Sequence, residues 1–200
     1  MQPDPNQSKE APVMFQWLSG ARRRDRRLVV EALYGEIVAA ARRPPLYADW
    51  GVPDTPLGRF EMLSLFMFLF LHRMRQSGTS GAPKELSQEV TDLFFLEVDH
   101  SLRELGVGDL GVPKRMKKLA RMFYGRLNAY GAAVDAADAL ALASALHRNI
   151  APDRAVWEEA AALANHVLEA HRSLAGLADE EILAGRLRFA PLPQEIDHGP

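Results

Sequence analysis

The sequence predicts an all-α fold: one helical domain of about six helices joined by short loops and ending in an extended C-terminal tail. Three observations carry this. Apolar residues recur with a period near 3.6 along almost the whole chain. No stretch shows the strict apolar–polar alternation of a half-buried strand. Prolines and Ser/Thr/Asp residues fall where helices are expected to start or stop.

The first stripe, Val30, Leu33, Tyr34, Ile37, Val38 and Ala41, belongs to a helix that Pro44 and Pro45 are expected to end. A loop from Leu46 to Asp54 follows. Thr55 then opens a helix whose first residue is Pro56, because the threonine hydroxyl accepts from an orphan amide and proline loses no bond at that position. This helix runs to about Gln76. A flexible segment, Ser77 to Ala82, leads to a helix from Pro83 to Leu105, striped by Val90, Phe94, Val98 and Leu102.

Gly106 to Gly111 reads as a turn, and Pro113 opens a fourth helix reaching Tyr130 or Gly131. Asp135 is expected to cap an alanine-rich helix to His147. A sixth helix is expected to begin near Pro152 and to carry Val156, Trp157, Ala160, Leu163, Val167 and Leu174. Asp179 to Leu183 adds one turn. The expected division is a disordered N-terminal extension over 1–13, the helical domain over 14–187, and an extended or disordered tail over 188–200.

Composition narrows the function classes. A 200-residue chain with 48% hydrophobic and 25% charged residues is an ordinary globular protein, so wholesale disorder is excluded. There is no cysteine, which removes disulfides, thiolate metal sites and cysteine nucleophiles and suits a reducing compartment. The start of the chain lacks the pattern of a secretory signal. The most apolar run, Leu63 to Leu71, is too short for a membrane span, which takes roughly 20 residues, and reads as a buried helix.

Gly106-Val107-Gly108-Asp109-Leu110-Gly111 matches the dinucleotide fingerprint letter for letter. That fingerprint needs a strand before it, and here a helix precedes it, so the glycines are read as a helix–helix turn. On the helix that follows, Met116, Leu119, Ala120, Phe123, Leu127 and Tyr130 share one face. Lys114, Lys117, Lys118 and Arg121 share the opposite face, flanked by Arg115 and Arg126. Cations in the first turns oppose the helix dipole, so something is expected to compensate. One candidate is the acidic stretch Glu85 to Asp109; the other is an external anionic partner such as RNA, lipid headgroups or an acidic protein.

Near the N-terminus, Phe15 and Trp17 precede Arg22, Arg23, Arg24, Arg26 and Arg27. This pattern suits the interface of an anionic bilayer; the alternative is a core cap with solvated arginines. Glu97 and His100, with Glu104 one turn on, give half of the Glu-x-x-His pairing of carboxylate-bridged metal sites. The only other match, Glu195 to His198, lies in the tail. No catalytic residue, metal site or cofactor is therefore expected. A helical metal-dependent oxidoreductase and an RNA- or ribosome-binding protein stand as the alternatives to a protein-binding role.

The strings LYADWGVPDT (Leu46 to Thr55), GRFEML (Gly58 to Leu63), LRELGVGDLGVPKRMK (Leu102 to Lys117) and FYGR (Phe123 to Arg126) together resemble the ubiquinol–cytochrome c chaperone family, from about Leu33 to Phe189. The resemblance implies a non-enzymatic assembly factor that binds newly made, unassembled cytochrome b and assists its entry into respiratory complex III. Mitochondrial members act with a small partner protein near the ribosomal exit. The chain looks like a bacterial member, expected in the cytoplasm and peripherally at the inner face of the membrane. The family brings no catalytic residues. The client is expected to meet the aromatic loop at Tyr47 and Trp50 and the basic face of Lys114, Arg115, Lys117, Lys118 and Arg121; the membrane is expected to meet the N-terminal segment.

Overall fold

The computed structural model describes residues 11–192, with side chains from Arg24 onward. Among the described residues there is no strand. Six long helices, α1 (Ala11–Ala41), α3 (Pro56–Ser77), α4 (Gly81–Glu104), α5 (Val112–Asp135), α6 (Ala139–Ile150) and α7 (Ala160–Ala175), carry the fold. Two five-residue helices, α2 (Pro44–Ala48) and α8 (Asp179–Leu183), sit in the connections. The predicted all-α architecture is the observed one.

Helix α3 is the hub, packed by α1, α4, α5, α6 and α7. Its run of Leu65, Phe66, Met67, Phe68, Leu69 and Phe70 is buried on every side, which explains a helix apolar all round. No helix among the described residues is long and apolar enough to cross a membrane. The Thr55 hydroxyl accepts from the Gly58 amide at 3.1 Å and Pro56 stands in the first turn, the start expected from sequence.

Four boundaries differ from expectation, each for a local reason. Pro44 and Pro45 follow the end of α1 but also begin α2, because their fixed φ suits a first turn that needs no amide donors. Leu46, expected in a loop, is therefore helical. Helix α5 continues to Asp135, and α6 is capped instead by Asp138, whose Oδ1 accepts from Ala141 at 2.9 Å. Helix α7 begins at Ala160 rather than near Pro152. The preceding turn lets the Trp157 indole N–H donate to the Trp50 carbonyl at 2.9 Å.

Distant segments are tied by polar groups that helix ends leave over. Arg73 on α3 is buried, and its guanidinium donates to the carbonyls of Leu174 (2.9 Å) and Leu177 (2.6 Å), to Asp179 (2.7 Å) and to the Ser77 hydroxyl. It thereby holds the C-terminal end of α7, adding to the bond the Leu174 carbonyl accepts from the Leu177 amide and engaging the Leu177 carbonyl. Beyond α8 the chain runs without regular structure and still belongs to the core. Phe189 sets its ring edge-on to Phe66 at 5.1 Å, Leu192 is buried, and Arg43 donates to the Ala190 carbonyl at 2.6 Å.

A histidine pair sits where α3, α5 and α7 meet. His72 Nε2 lies 2.9 Å from Asp135 Oδ1 and 3.2 Å from the Arg75 guanidinium, and its ring stands edge-on to His171, which Gln76 also contacts. Burial holds both imidazoles below their usual pKa; Asp135 opposes this at both rings, and its charge and hydrogen bond only partly offset the effect at His72. A depressed histidine pKa means the unfolded chain takes up a proton before the folded one does. Stability is then fully present above about pH 6.5 and is lost as pH falls through the folded-state values. Melting temperature is expected to be level from about pH 7 to 8 and to decline towards pH 5.5, with a shallower decline in His72→Gln. Equal slopes for the two proteins would remove His72 from the account.

Candidate functional site

The feature most exposed to a partner is the corner between α4 and α5 together with the first turns of α5. The corner is a helix stop built on glycine. Gly106 has φ +79°, its amide donates to the Arg103 carbonyl, and the Val107 amide reaches back to the Leu102 carbonyl. This double bond pattern with a left-handed residue after the last turn ends helices that terminate in glycine. It confirms the helix–helix turn, with a helix and not a strand before the glycines.

The turn places Leu110 outward with 99% of its surface exposed, and Leu105 is 59% exposed. Asp109 is engaged by Arg103, which also holds Asp99 at 2.7 Å.

Along α5 the two expected faces separate. Phe123 and Tyr130 are buried, and Met116, Leu119 and Leu127 pack against the core. Lys114, Arg115, Lys117, Lys118 and Arg121 are all exposed. None of the five makes an ion pair among the described residues, and the paired carboxylates of the acidic stretch are held by other groups. Glu89 pairs with Arg26 at 2.6 Å, Asp99 and Asp109 with Arg103, and Glu97 faces His100. Of the two compensations open on sequence grounds, the internal one is not made. Lys114 and Arg115, in the first turn of α5, keep their unfavourable position on the helix dipole, a cost of about 0.3–1 kcal/mol each.

Arg126, expected on the flank of this face, does different work. Its guanidinium forks onto the Glu61 carboxylate, Nε to Oε2 at 2.9 Å and NH2 to Oε1 at 2.6 Å, and Glu61 is buried. Burial pushes the Glu61 carboxyl above its ordinary range, against the pull of Arg126. This is an internal tie between α3 and α5 rather than part of a binding surface.

The structure places the two residues of the aromatic loop differently. Trp50 is only 5% exposed, edge-on to the His166 ring, and so offers no surface to a partner. Tyr47 is half-buried, with its hydroxyl donating to the Ala41 carbonyl at 2.7 Å. Burial raises its pKa.

In the N-terminal cluster, α1 begins at Ala11, but the side chains of Phe15, Trp17, Arg22 and Arg23 lie outside the described residues. Arg24 is exposed, Arg26 is spent on Glu89, and Arg27 pairs with Glu31 one turn on. Glu97 and His100 stand 3.8 Å apart on an open face. Among the described residues, no group of three or more histidines or carboxylates is placed to hold a metal.

Sequence reasoning missed Leu105 and Leu110. The available signal was a leucine set between glycines in a turn, where no helical register carries it to the core.

Residues 48–189 match the family described as ubiquinol-cytochrome C chaperone. A crystal structure of the Cbp3 homolog from Brucella abortus is similar to this chain at 53% sequence identity and a TM-score of 0.82. The match covers 90% of this chain and 98% of that one. No curated protein matches.

Proposed function

This chain belongs to the ubiquinol-cytochrome C chaperone family, and from that premise we propose that it binds newly made, unassembled cytochrome b and assists its entry into complex III. The observation that carries the reading is the family match across residues 48–189 joined to high identity with a Cbp3 homolog over nearly the whole chain. The basic face supports it. Five exposed cations with no ion pair among the described residues suit a protein that works by contact with an anionic partner. Its place of action is the inner face of the cytoplasmic membrane, where the client is inserted. A ribosome and a small partner protein, as in mitochondrial relatives, belong to the same reading.

The test is genetic and biochemical. In cells lacking this chain, complex III and its cytochrome b should fall several-fold while the cytochrome b transcript is unchanged. Affinity-tagged full-length protein should recover pulse-labelled cytochrome b early in a chase and lose it later. Cells without the chain that assemble complex III at the normal rate and level would sink the proposal.

A further inference from the structure

The geometry points to the α4–α5 corner as a lipid-docking element: Leu105 and Leu110 enter the headgroup boundary of an anionic bilayer while Lys114, Arg115, Lys117 and Lys118 meet its phosphates. The inference deepens the reading above by naming what the basic face meets. Its test needs no client, so either can fail alone.

Two independent observations converge on one end of α5. The first is apolar. A leucine with 99% of its surface in water has no role in packing, and a second follows it at 59%. Leucine side chains gain on leaving water by entering an interface. The second is electrostatic. The cations begin directly after the corner, stand exposed and make no ion pair among the described residues. Near a negatively charged leaflet each contributes roughly a fivefold gain in binding. The acids at the corner offset only part of this, since Arg103 is shared by Asp99 and Asp109 and Glu104 adds one further carboxylate, against four cations.

An aliphatic tip with cations behind it is the order a bilayer requires, apolar groups deeper and charges at the headgroups. RNA would call for aromatic platforms on which bases stack, and the corner from Leu105 to Val112 has none.

The chain's lack of cysteine makes the test direct. Leu110→Cys in the full-length protein carries a nitrobenzoxadiazole label at the tip. Leu140→Cys carries it on α6, whose residue is 83% exposed and lies beyond the other end of α5, roughly 36 Å away along that helix.

Vesicles of phosphatidylglycerol mixed with phosphatidylcholine should raise the emission at position 110 several-fold and shift it to shorter wavelength. Pure phosphatidylcholine vesicles should leave it unchanged, and the label at 140 should respond to neither. Replacing Lys114, Arg115, Lys117 and Lys118 together by Gln should weaken vesicle binding by roughly several hundredfold, with a melting temperature no lower than the parent's, and added salt should weaken the parent in the same way.

Removing residues 1–20 should leave the response at 110 in place. A label at 110 that stays at its aqueous value while the protein sediments with vesicles would overturn the proposal and move membrane binding to the N-terminal segment. A label that answers polyuridylate and ignores both vesicle types would overturn it in favour of nucleic acid.

Discussion

Arg126→Ala is expected to lower the melting temperature by roughly 10 °C. Breaking a buried ion pair by removing one partner costs about 3–5 kcal/mol, and about 2–4 °C is lost per kcal/mol in a protein this size. The cause is the charge left behind. Glu61 is 1% exposed and its carboxylate has both oxygens engaged by the Arg126 fork. Even with Arg126 in place, burial already raises the Glu61 pKa.

Without the guanidinium that pKa rises further, and the sign of the pH effect follows. A carboxyl raised in the folded state contributes stability at low pH that is lost as pH rises through the folded value. Arg126→Ala should therefore recover part of its deficit on going from about pH 8 to about pH 5. The double variant Glu61→Leu with Arg126→Met should regain most of the stability, since an apolar pair of similar size avoids the stranded charge. A single variant melting within about 1 °C of the parent would show that the pair behaves as an exposed one.

Gly58→Ala is the second large effect, and it comes from a single methyl group. A Cβ on Gly58 would stand 1.9 Å from the Pro53 carbonyl oxygen, which is backbone and has no rotamer to escape into. Either α3 moves or the 49–55 loop lifts, and overpacking of this kind costs about 3 kcal/mol. The melting temperature should drop by about 6–12 °C. Limited proteolysis should open a new cleavage site between residues 49 and 55, and tryptophan emission should shift to longer wavelength as Trp50 gains water. Gly35→Ala is the matched control, since nothing lies within 4 Å of its Cβ, and that change within α1 should stabilise by about 0.5–1 kcal/mol. Equal effects of the two substitutions would exclude the steric account.

These two predictions also show which parts of the molecule were legible in the sequence. The start of α3 was, because Thr55 and Pro56 act on their own helix end and need no distant information. So was the turn after α4, since glycine's freedom is a local property. The cap of α6 was placed three residues early, because Asp135 and Asp138 both precede alanine-rich sequence and only the spatial pairing of Asp135 with His72 and Arg75 separates them.

Trp50 was read as a partner contact because an aromatic in a glycine- and proline-containing loop has no register to mark it as buried. Its burial depends on Trp157 and His166, more than a hundred residues away. The Glu61–Arg126 tie was invisible for the same reason, as no sequence pattern links positions on different helices. For the basic face, the sequence posed both compensations fairly. It took the positions of Arg26 and Arg103, each holding carboxylates of the acidic helix, to remove one of them.

The strap of residues 187–192 has a consequence for the order in which the protein is made. The Phe66 ring sits in the third helix to be synthesised, yet the ring that covers it belongs to residue 189. At ~5–20 residues per second, roughly 6–25 seconds of synthesis separate the two. Throughout that interval the hub helix can gather its neighbours but keeps an open apolar seam where Phe189 and Leu192 will lie. A contact spanning so much of the chain is slow to form and leaves the unfinished molecule prone to association. The protein thus passes through a stage in which its own nascent chain carries the exposed apolar surface.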